Sequence, residues 1–453
     1  MSVVPGSIDT GQQPPMTVPL RHFVVGLAFL FAGGLLGIGV ATHVVTGLAT
    51  LAHVHLLLVG WVCLTIMGAM TQFVPVWSGV DLYSQRLATV QLWLVAFGLV
   101  GFAVALVTVT LPALAVFGAL MLTGFWVFVY NIARTLAAVD TLDVTERHFA
   151  LALGYFLLVT SFGLLLAVDF SVPLFGPVVP IARSQVVAAH ATLAVFGAVL
   201  TTVFGALYQL ATMFTQTELH GVDDWLARIE EAAYPTGVLA LAGGRLLALS
   251  VLARVGGLLV VLAVLAFSVV LARKLYETQV EWTPMLTRYS VVVPALVGWA
   301  LLTAPAWLRH ATARSTRFGA PAATHLLVLG GIGFVVLGTL YHIVPFIIWV
   351  HRYSDLLGFE DVPMIDDLYD DRLAALDGTL LVVGTALVVA RPLLGLPAVV
   401  TTGGGVLVTV GIVVFATNML LVIREHSPQS LAAIVLSVGE AGATEDASDE
   451  KPV

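Results

Sequence analysis

The sequence predicts an all-α integral membrane protein with about twelve transmembrane helices. Of its 453 residues, 59% are hydrophobic and 10% are charged, whereas a soluble domain carries roughly 25% charged residues. Four apolar runs each exceed the roughly 20 residues that a helix needs to cross a bilayer; they are Met16 to Val45, His55 to Val76, Gln185 to Met213 and Thr324 to Val350. Backbone groups in lipid must be paired within the protein, and no barrel-like alternation is visible, so these runs are expected to be helices.

The same criterion, applied along the whole chain, places twelve helices. They lie at about 20–47, 51–78, 87–109, 111–137, 147–169, 184–214, 234–252, 255–275, 287–309, 321–350, 373–391 and 397–424. The stretch 234–275 is divided in two because one helix of that length, at about 1.5 Å per residue, would be far longer than the membrane is thick. Arg254, Gly256 and Gly257 are predicted to form the turn between the two.

A segment that begins with histidine occurs three times in the sequence. The copies are HVHLLLVGWVCLTIMGAMTQFVP from His53, HATLAVFGAVLTTVFGALYQLAT from His190 and HLLVLGGIGFVVLGTLYHIVP from His325. When Gly68, Gly205 and Gly338 are aligned, His190 falls on the His53 position and His325 falls on the His55 position. Each copy is the second helix of a group of four.

The twelve helices therefore form three units of four, 20–137, 147–275 and 287–424. The units open on similar residues: Arg21-His22-Phe23, Arg147-His148-Phe149 and Arg288-Tyr289. Because each unit has an even number of helices, the units run parallel, and a pseudo-threefold arrangement is expected. An N-terminal tail, 1–19, and an acidic C-terminal tail, 425–453, flank this membrane domain.

Charge predicts the orientation of the chain and limits its partners. If the N-terminus is cytoplasmic, the loops on that side carry roughly twice as many Lys and Arg residues as the loops on the other side, as the positive-inside rule requires. We therefore expect a multi-pass protein of the cell membrane with both termini in the cytoplasm. The net charge of −8 argues against nucleic acid as a partner, and a single cysteine, Cys63, excludes an internal disulfide.

Histidines inside membrane helices have two interpretations. They form hydrogen bonds to neighbouring helices, or they serve a function, since polar groups are costly at this depth. Recurrence at matching depth on three equivalent helices favours a function, and neutral imidazole is a common ligand of haem iron. His53 and His55 are separated by about 200° around a helix, so one helix can bind two groups on opposite sides.

Three units of four helices, with histidines at one end of helices two, six and ten, resemble subunit I of the haem-copper oxidase superfamily. The segment AHVHLLLVGWVCLTIMGAM is most similar to the branch of cbb-type oxidases and nitric oxide reductases. The resemblance implies that His53 and His325 are the axial ligands of a six-coordinate haem, and that His190 matches a copper ligand. It also implies that Arg391, in the loop between helices eleven and twelve, binds a haem propionate, and that Arg314 and Arg317 are further candidates for such pairing.

The implied function is respiratory electron transfer, of which the reaction of a terminal oxidase is one form. The implied partners are other respiratory subunits and a cytochrome, cupredoxin or quinol donor. The chain lacks the Cys-x-x-Cys-His attachment motif, so a donor haem of that type would belong to another chain. Nitric oxide handling within the same superfamily and membrane transport along a histidine-lined path are the alternatives.

The sequence departs from the family pattern at the copper site. Predicted helix seven, Tyr234 to Val251, has no histidine, and Ala323 stands where helix ten would carry its second one. Copper needs several nitrogen ligands, so the sequence argues against a copper centre. The repeat register suggests another arrangement, in which His53 pairs with His325 and His55 pairs with His190. Each pair would hold one b-type haem, giving one or two haems per chain.

A few other polar residues lie within the apolar segments. Asp169 and Asp377 are expected to cap helices or to lie at the interface. His342 is expected to be a polar residue at a helix end. The remaining polar residues are predicted to line a water-filled or quinone site or to belong to an aromatic belt; they are Gln72, Tyr208, Gln209 and Tyr341.

Overall fold

A computed structural model describes residues 14–436 and confirms the all-α, multi-span architecture. The long helices are α1 (Thr17–Ala41), α2 (Ala49–Ser78), α3 (Gln85–Val107), α4 (Leu111–Leu136), α5 (Val144–Val168), α6 (Arg183–Thr215), α7 (Val222–Leu246), α8 (Ser250–Tyr276), α9 (Pro284–His310), α10 (Leu326–Arg352), α11 (Asp371–Leu394) and α12 (Ala398–His426). Within residues 14–436, eleven of them are long and apolar enough to cross a membrane. The exception, α7, has a similar length but carries several charged residues in its first turns.

The three units pack in the same way. Within each unit the first helix packs against the second and the third against the fourth, and between units α4 packs on α5, α8 on α9 and α12 on α1. Helices α2, α6 and α10 line a common central cavity. The helices that carry the repeated histidines are therefore the inner ring of the bundle.

Matching glycines on the inner helices allow equivalent close contacts in all three units. A Cβ atom added to Gly68 would lie 2.6 Å from the Cβ of His22, and one added to Gly205 would lie 2.5 Å from the Cβ of His148. In the third unit, a Cβ on Gly338 would lie 3.1 Å from the Cβ of Arg288. These glycines were aligned by sequence alone, and small residues are what close packing of membrane helices requires.

Each inner helix also widens into a π-helix directly after its histidines. The π segments are Leu56–Cys63 in α2, Leu193–Val199 in α6 and Leu326–Gly333 in α10. They begin at equivalent positions of the aligned repeats. Since π-helical turns are rare and are often found at functional sites, their threefold recurrence beside the histidines marks this end of the bundle, which we call the histidine end.

The predicted turn at Arg254, Gly256 and Gly257 is wrong. Helix α7 begins at Val222, twelve residues before the predicted start, and the turn lies at 247–249, where Ala248 has a φ of 55°. Both glycines lie inside α8. A Cβ on Gly256 would approach the backbone nitrogen of Leu241 to 2.3 Å, so this glycine permits contact between α7 and α8 and does not break the helix.

The first residues of the predicted C-terminal tail, 425–436, belong to the described part of the chain. Residues Leu431–Leu436 form a short helix, α13, and Ile434 is fully buried. Arg21 of α1 donates from Nε to the carbonyl oxygen of Ile434 over 2.6 Å. The first part of the predicted tail is thus packed on the membrane domain, while 437–453, like 1–13 of the N-terminal tail, lies outside the described residues.

Candidate functional site

His53 and His190 are held in the same way by the first helix of their units. The Nδ1–H of His53 donates to the carbonyl oxygen of Gly33 in α1 over 2.8 Å. The Nδ1–H of His190 donates to the carbonyl oxygen of Val159 in α5, the equivalent position, over 3.0 Å. A carbonyl oxygen can only accept, so each ring carries its proton on Nδ1 and presents the lone pair of Nε2. This is the tautomer that an imidazole adopts when Nε2 binds a metal.

A glycine one turn further along each first helix makes room for the ring. A Cβ on Gly37 would lie 2.6 Å from Cε1 of His53, and a Cβ on Gly163 would lie 3.1 Å from Cε1 of His190. Both imidazole rings therefore pack directly against the helix backbone at a glycine. The equivalent position in the third unit is Thr303, and Ala323 stands there at the position aligned with His53 and His190.

His55 points to the other side of α2. Its Nδ1–H donates to the carbonyl oxygen of Leu51 over 2.8 Å, which again leaves Nε2 as an acceptor. Its ring lies 5.2 Å from the ring of Phe102 in α3. His53 faces α1 and His55 faces α3, so the two rings lie on different sides of α2, as their spacing on the helix requires.

The four histidines fall into two cross-unit pairs. An electrostatic interaction links His325, the residue directly before α10, to His53, and another links His190 of α6 to His55. The first pair lies between the third and first units, and the second pair lies between the first and second units. Three of the four rings have a fixed Nδ1 proton and a free Nε2, so the chemistry of the donors fits an iron porphyrin held between two imidazoles.

At the third interface between units, neither equivalent position is a histidine. The two residues there are Thr192 of α6 and Ala323, which lies just before α10. The guanidinium of Arg245, from α7, occupies this interface and donates to Thr192 Oγ1 over 2.7 Å. It also stacks over the ring of Trp307 at 5.4 Å. A side chain of the protein fills the space here, so the pseudo-threefold fold offers two imidazole pairs and not three.

Arg391 lies in the last turn of α11 and is exposed. Its predicted place in the loop between helices eleven and twelve is wrong, because α11 continues to Leu394 before Gly395 ends it with a positive φ. Its role as a propionate ligand stays a prediction.

Within residues 14–436, no group of three potential metal ligands includes His190. Helix α7, which would carry them, has no histidine between Val222 and Leu246. The described residues contain one cluster of three potential metal ligands, His220, Asp223 and Glu277, at the opposite end of the bundle. The ammonium group of Lys274 lies 3.0 Å from Asp223 and 2.6 Å from Glu277, so this cluster already binds a cationic side chain.

The opposite end of the bundle contains buried polar groups whose pairing the sequence did not reveal. In the second unit, Nε2 of His148 and the hydroxyl of Tyr208 both lie 3.1 Å from Oε2 of Glu230. All three side chains are buried. In the third unit, Arg288 and Tyr341 donate to Asp377, which is fully buried.

Asp377 is therefore an internal ion-pair partner, and its expected role at a helix end or interface is wrong. Asp169, in contrast, does cap a turn, since it accepts from the backbone N–H groups of Leu174 and Phe175 and pairs with Arg183. His342 packs between Phe214 and Phe346.

A regular spacing in the sequence could have located these buried groups. Glu230 and Asp377 each precede a glycine, Gly237 and Gly384, by seven residues, and both glycines pack against the backbone of the next helix. The same spacing in the first unit leads from Gly98 to Gln91. At this one buried position the first unit has the amide Gln91, the second has the carboxylate Glu230 and the third has the carboxylate Asp377.

The central cavity has a volume of about 70 Å³ and is lined by equivalent residues of the three inner helices. Thr65, Thr202 and Val335 form one layer, and Ala69, Ala206 and Thr339 form the next. Its lining is apolar apart from these hydroxyl groups. The π segments lie between the histidines and this cavity, and none of the four histidines lines the cavity.

Comparison with known proteins adds no assignment to this geometry. No model of a known protein family matches the sequence, and no curated protein matches it at a significant level.

Proposed function

We propose that this chain is a membrane electron-transfer protein that holds two b-type haems, one between His53 and His325 and one between His55 and His190. The observation that carries the proposal is the division of His53 and His55 between two interfaces, each of which contains one histidine from another unit. Packing alone gives no reason for imidazoles to meet in pairs at two equivalent interfaces.

The protein's own groups fix the ligands before any cofactor binds. Gly33 and Val159 hold His53 and His190 through their carbonyl oxygens, and these bonds orient the rings and increase the basicity of Nε2. Gly37 and Gly163 admit the rings close to the helix backbone. A bis-imidazole haem supplies reversible one-electron transfer with no open coordination position.

The resemblance to haem-copper oxidase subunit I supports a respiratory role in the cell membrane, with both termini cytoplasmic and the histidine end facing outward. The donor would then be a cytochrome, cupredoxin or quinol associated with another subunit. Oxygen or nitric oxide reduction would need an open haem and a nearby metal, and the two histidine pairs favour electron transfer over both reactions.

Pigment analysis of the purified full-length protein tests the proposal. We expect a pyridine haemochrome of the b type, two haems per chain, and a low-spin spectrum with sharp reduced α-bands. His325→Ala should remove one haem and His190→Ala should remove the other, while His351→Ala, a histidine at the opposite end of α10, should leave both in place.

Three outcomes would contradict the proposal. A colourless protein would favour a transporter or a scaffold. A high-spin signal, or a carbon monoxide adduct after reduction, would indicate an open iron site. Loss of both haems in either variant, with the fold intact by circular dichroism, would indicate that the four histidines do not form separate pairs.

A further inference from the structure

Four buried positions at the end of the bundle opposite the paired histidines recur in the three units, one on each helix of a unit. The aligned glycine of each second helix packs on the first helix, and Gly98, Gly237 and Gly384 of the third helices pack on the fourth, so the register of all four helices is known. The positions are His22, Thr71, Gln91 and Asn131 in the first unit, His148, Tyr208, Glu230 and Val270 in the second, and Arg288, Tyr341, Asp377 and Asn418 in the third.

In the second and third units, a buried carboxylate is the centre of a hydrogen-bonded network at these positions. Glu230 and Asp377 each accept from the side chains of the first and second helices of their units. In the third unit, the amide nitrogen of Asn418 also donates to the hydroxyl of Tyr341 over 3.2 Å and to the carbonyl oxygen of Asp370 over 2.9 Å. The protein therefore supplies the partners of these carboxylates from its own side chains.

The first unit has no carboxylate at these positions, and its polar groups do not pair with one another. Both amide atoms of Gln91, Nε2 of His22 and Oδ1 of Asn131 have no hydrogen-bond partner among residues 14–436. His22 is 1% exposed, and Gln91 and Asn131 are fully buried. Buried polar atoms without partners are costly, so four of them at one place in the fold indicate a bound ligand.

Local hydrogen bonds hold His22 and Asn131 as their equivalents are held in the other units. The Nδ1–H of His22 donates to the carbonyl oxygen of Val18 over 2.8 Å, which leaves Nε2 as an acceptor. The amide nitrogen of Asn131 donates to the carbonyl oxygen of Ser84 over 3.0 Å, the same bond that Asn418 makes in the third unit. The oxygen of Asn131 thus remains an acceptor.

Thr71 takes the position that a tyrosine has in the other two units. It is fully buried, and its hydroxyl donates back to the carbonyl oxygen of Gly68 in its own helix over 2.9 Å. Its side chain is shorter than a tyrosine by a whole phenol ring. A water molecule takes up about 30 Å³ in the liquid, which is less than such a ring occupies.

We propose that the first unit contains a buried water-binding site formed by His22, Thr71, Gln91 and Asn131. Water is the ligand whose chemistry fits. Three acceptor atoms and one amide donor require a neutral partner that both donates and accepts, and buried waters make about three hydrogen bonds to polar groups that otherwise lack partners. A cation would find no carboxylate at these positions, and an anion would face three acceptors.

Radiolytic labelling of the full-length protein in isotopically labelled water tests the proposal. A brief X-ray pulse converts bound water to hydroxyl radicals, which oxidise the side chains beside it, and mass spectrometry locates the oxidised residues. His148 is the control within the same molecule, because it is also buried but pairs with Glu230. We expect His22 to be oxidised several-fold faster than His148.

A double variant places the pairing of the second unit in the first. Thr71→Tyr combined with Gln91→Glu supplies the phenol and the carboxylate that His148 has beside it, and it should reduce the labelling of His22 to the level of His148. Thr417→Tyr, at an exposed position of α12, is the matched control and should leave the labelling of His22 unchanged. If the double variant does not fold, the comparison of His22 with His148 in the native protein decides.

Three results would overturn the proposal. The first is oxidation of His22 no faster than that of His148. The second is unchanged labelling of His22 in a folded double variant. The third is density for a larger organic molecule between His22 and Gln91 in a map that resolves water. The site lies at the end opposite the paired histidines, so none of these results depends on haem.

Discussion

Nε2 of His148 lies 3.1 Å from Oε2 of Glu230, and neither side chain reaches the surface. The pair joins α5 to α7, so it connects the first and third helices of the second unit. Tyr208 of the inner helix donates to the same carboxylate. One buried carboxylate thus holds three helices of the unit together at the end opposite the four paired histidines.

Glu230→Gln should destabilise the protein by about 3 kcal/mol or more, because breaking one side of a buried pair leaves its partner uncompensated. Reversible unfolding in detergent would measure this. Glu231→Gln is the matched control, since Glu231 pairs with Arg147 near the surface and such pairs contribute about 0–1 kcal/mol. Equal losses in the two variants would show that burial of the His148–Glu230 pair has no particular energetic role.

The Arg288–Asp377 pair should behave differently as a single and as a double variant. Asp377→Asn alone should cost about 3–5 kcal/mol, because it leaves the buried guanidinium without its carboxylate. Arg288→Met combined with Asp377→Leu should recover most of this loss, since apolar side chains need no desolvated partner. Unfolding free energies of the two variants test this expectation, and a double variant less stable than Asp377→Asn would contradict it.

Gly68→Ala should destabilise the first unit by about 1–3 kcal/mol, the cost of overpacking a close contact, because its new Cβ would overlap His22. Gly403→Ala in α12 is the control. No atom lies within 4 Å of a Cβ at that position, so replacement of a helical glycine should be neutral or stabilising by up to about 1 kcal/mol. Thermal unfolding of both variants in the same detergent would compare them, and similar values would argue against the threefold glycine contacts.

Gly37→Ala and Gly163→Ala should each affect one haem site. The new methyl group at residue 37 would displace the His53 ring, and the one at residue 163 would press on the His190 ring. We expect Gly37→Ala to lower occupancy of the His53–His325 site and Gly163→Ala to perturb the His55–His190 site less strongly, because its Cβ has more room. Haem content and difference spectra measure this. Unchanged spectra in both variants would mean that the rings do not need these glycines.

Glu277, which follows α8, should contribute to the pH dependence of stability. A hydrogen bond from Lys274 lowers the pKa of this carboxyl below its ordinary value, and the positive charges of Lys274 and Arg273 act in the same direction. A carboxyl with a lowered folded pKa stabilises the protein above its unfolded pKa of about 4.3, and that contribution is lost as the pH falls through the folded value.

Glu277→Gln should therefore lower stability near neutral pH and flatten the stability profile below about pH 4.3. Unfolding midpoints measured between neutral and acidic pH would show this. Gln279→Glu adds a carboxylate nearby without the Lys274 contact and should not reproduce the profile of the native protein when combined with Glu277→Gln. If the stability of Glu277→Gln depends on pH as that of the native protein does, the ion pair of Lys274 with Asp223 makes the pair with Glu277 dispensable.

Much of the architecture was predictable from apolar length and repetition. The apolar length of each run predicted where the chain crosses the membrane, because a helix is the simplest way to pair its backbone in lipid. The register of Gly68, Gly205 and Gly338 predicted three equivalent units. The two-residue spacing of His53 and His55 predicted that they face opposite sides of α2, since helical geometry alone determines that angle.

Only the tertiary structure decided which groups meet. That α7 begins at Val222 could not be read from hydropathy, because its first turns are charged and find their partners on α5, α6 and α8. From the sequence, Asp377 was expected at an interface, and only the fold places Arg288 and Tyr341 beside it. In the sequence Arg245 is an isolated cation in a membrane helix, and only the fold surrounds it with four oxygen acceptors. The free energy of a buried polar group depends on partners that are distant in sequence, and for that reason the chain alone determines the helices while the packed bundle determines the sites.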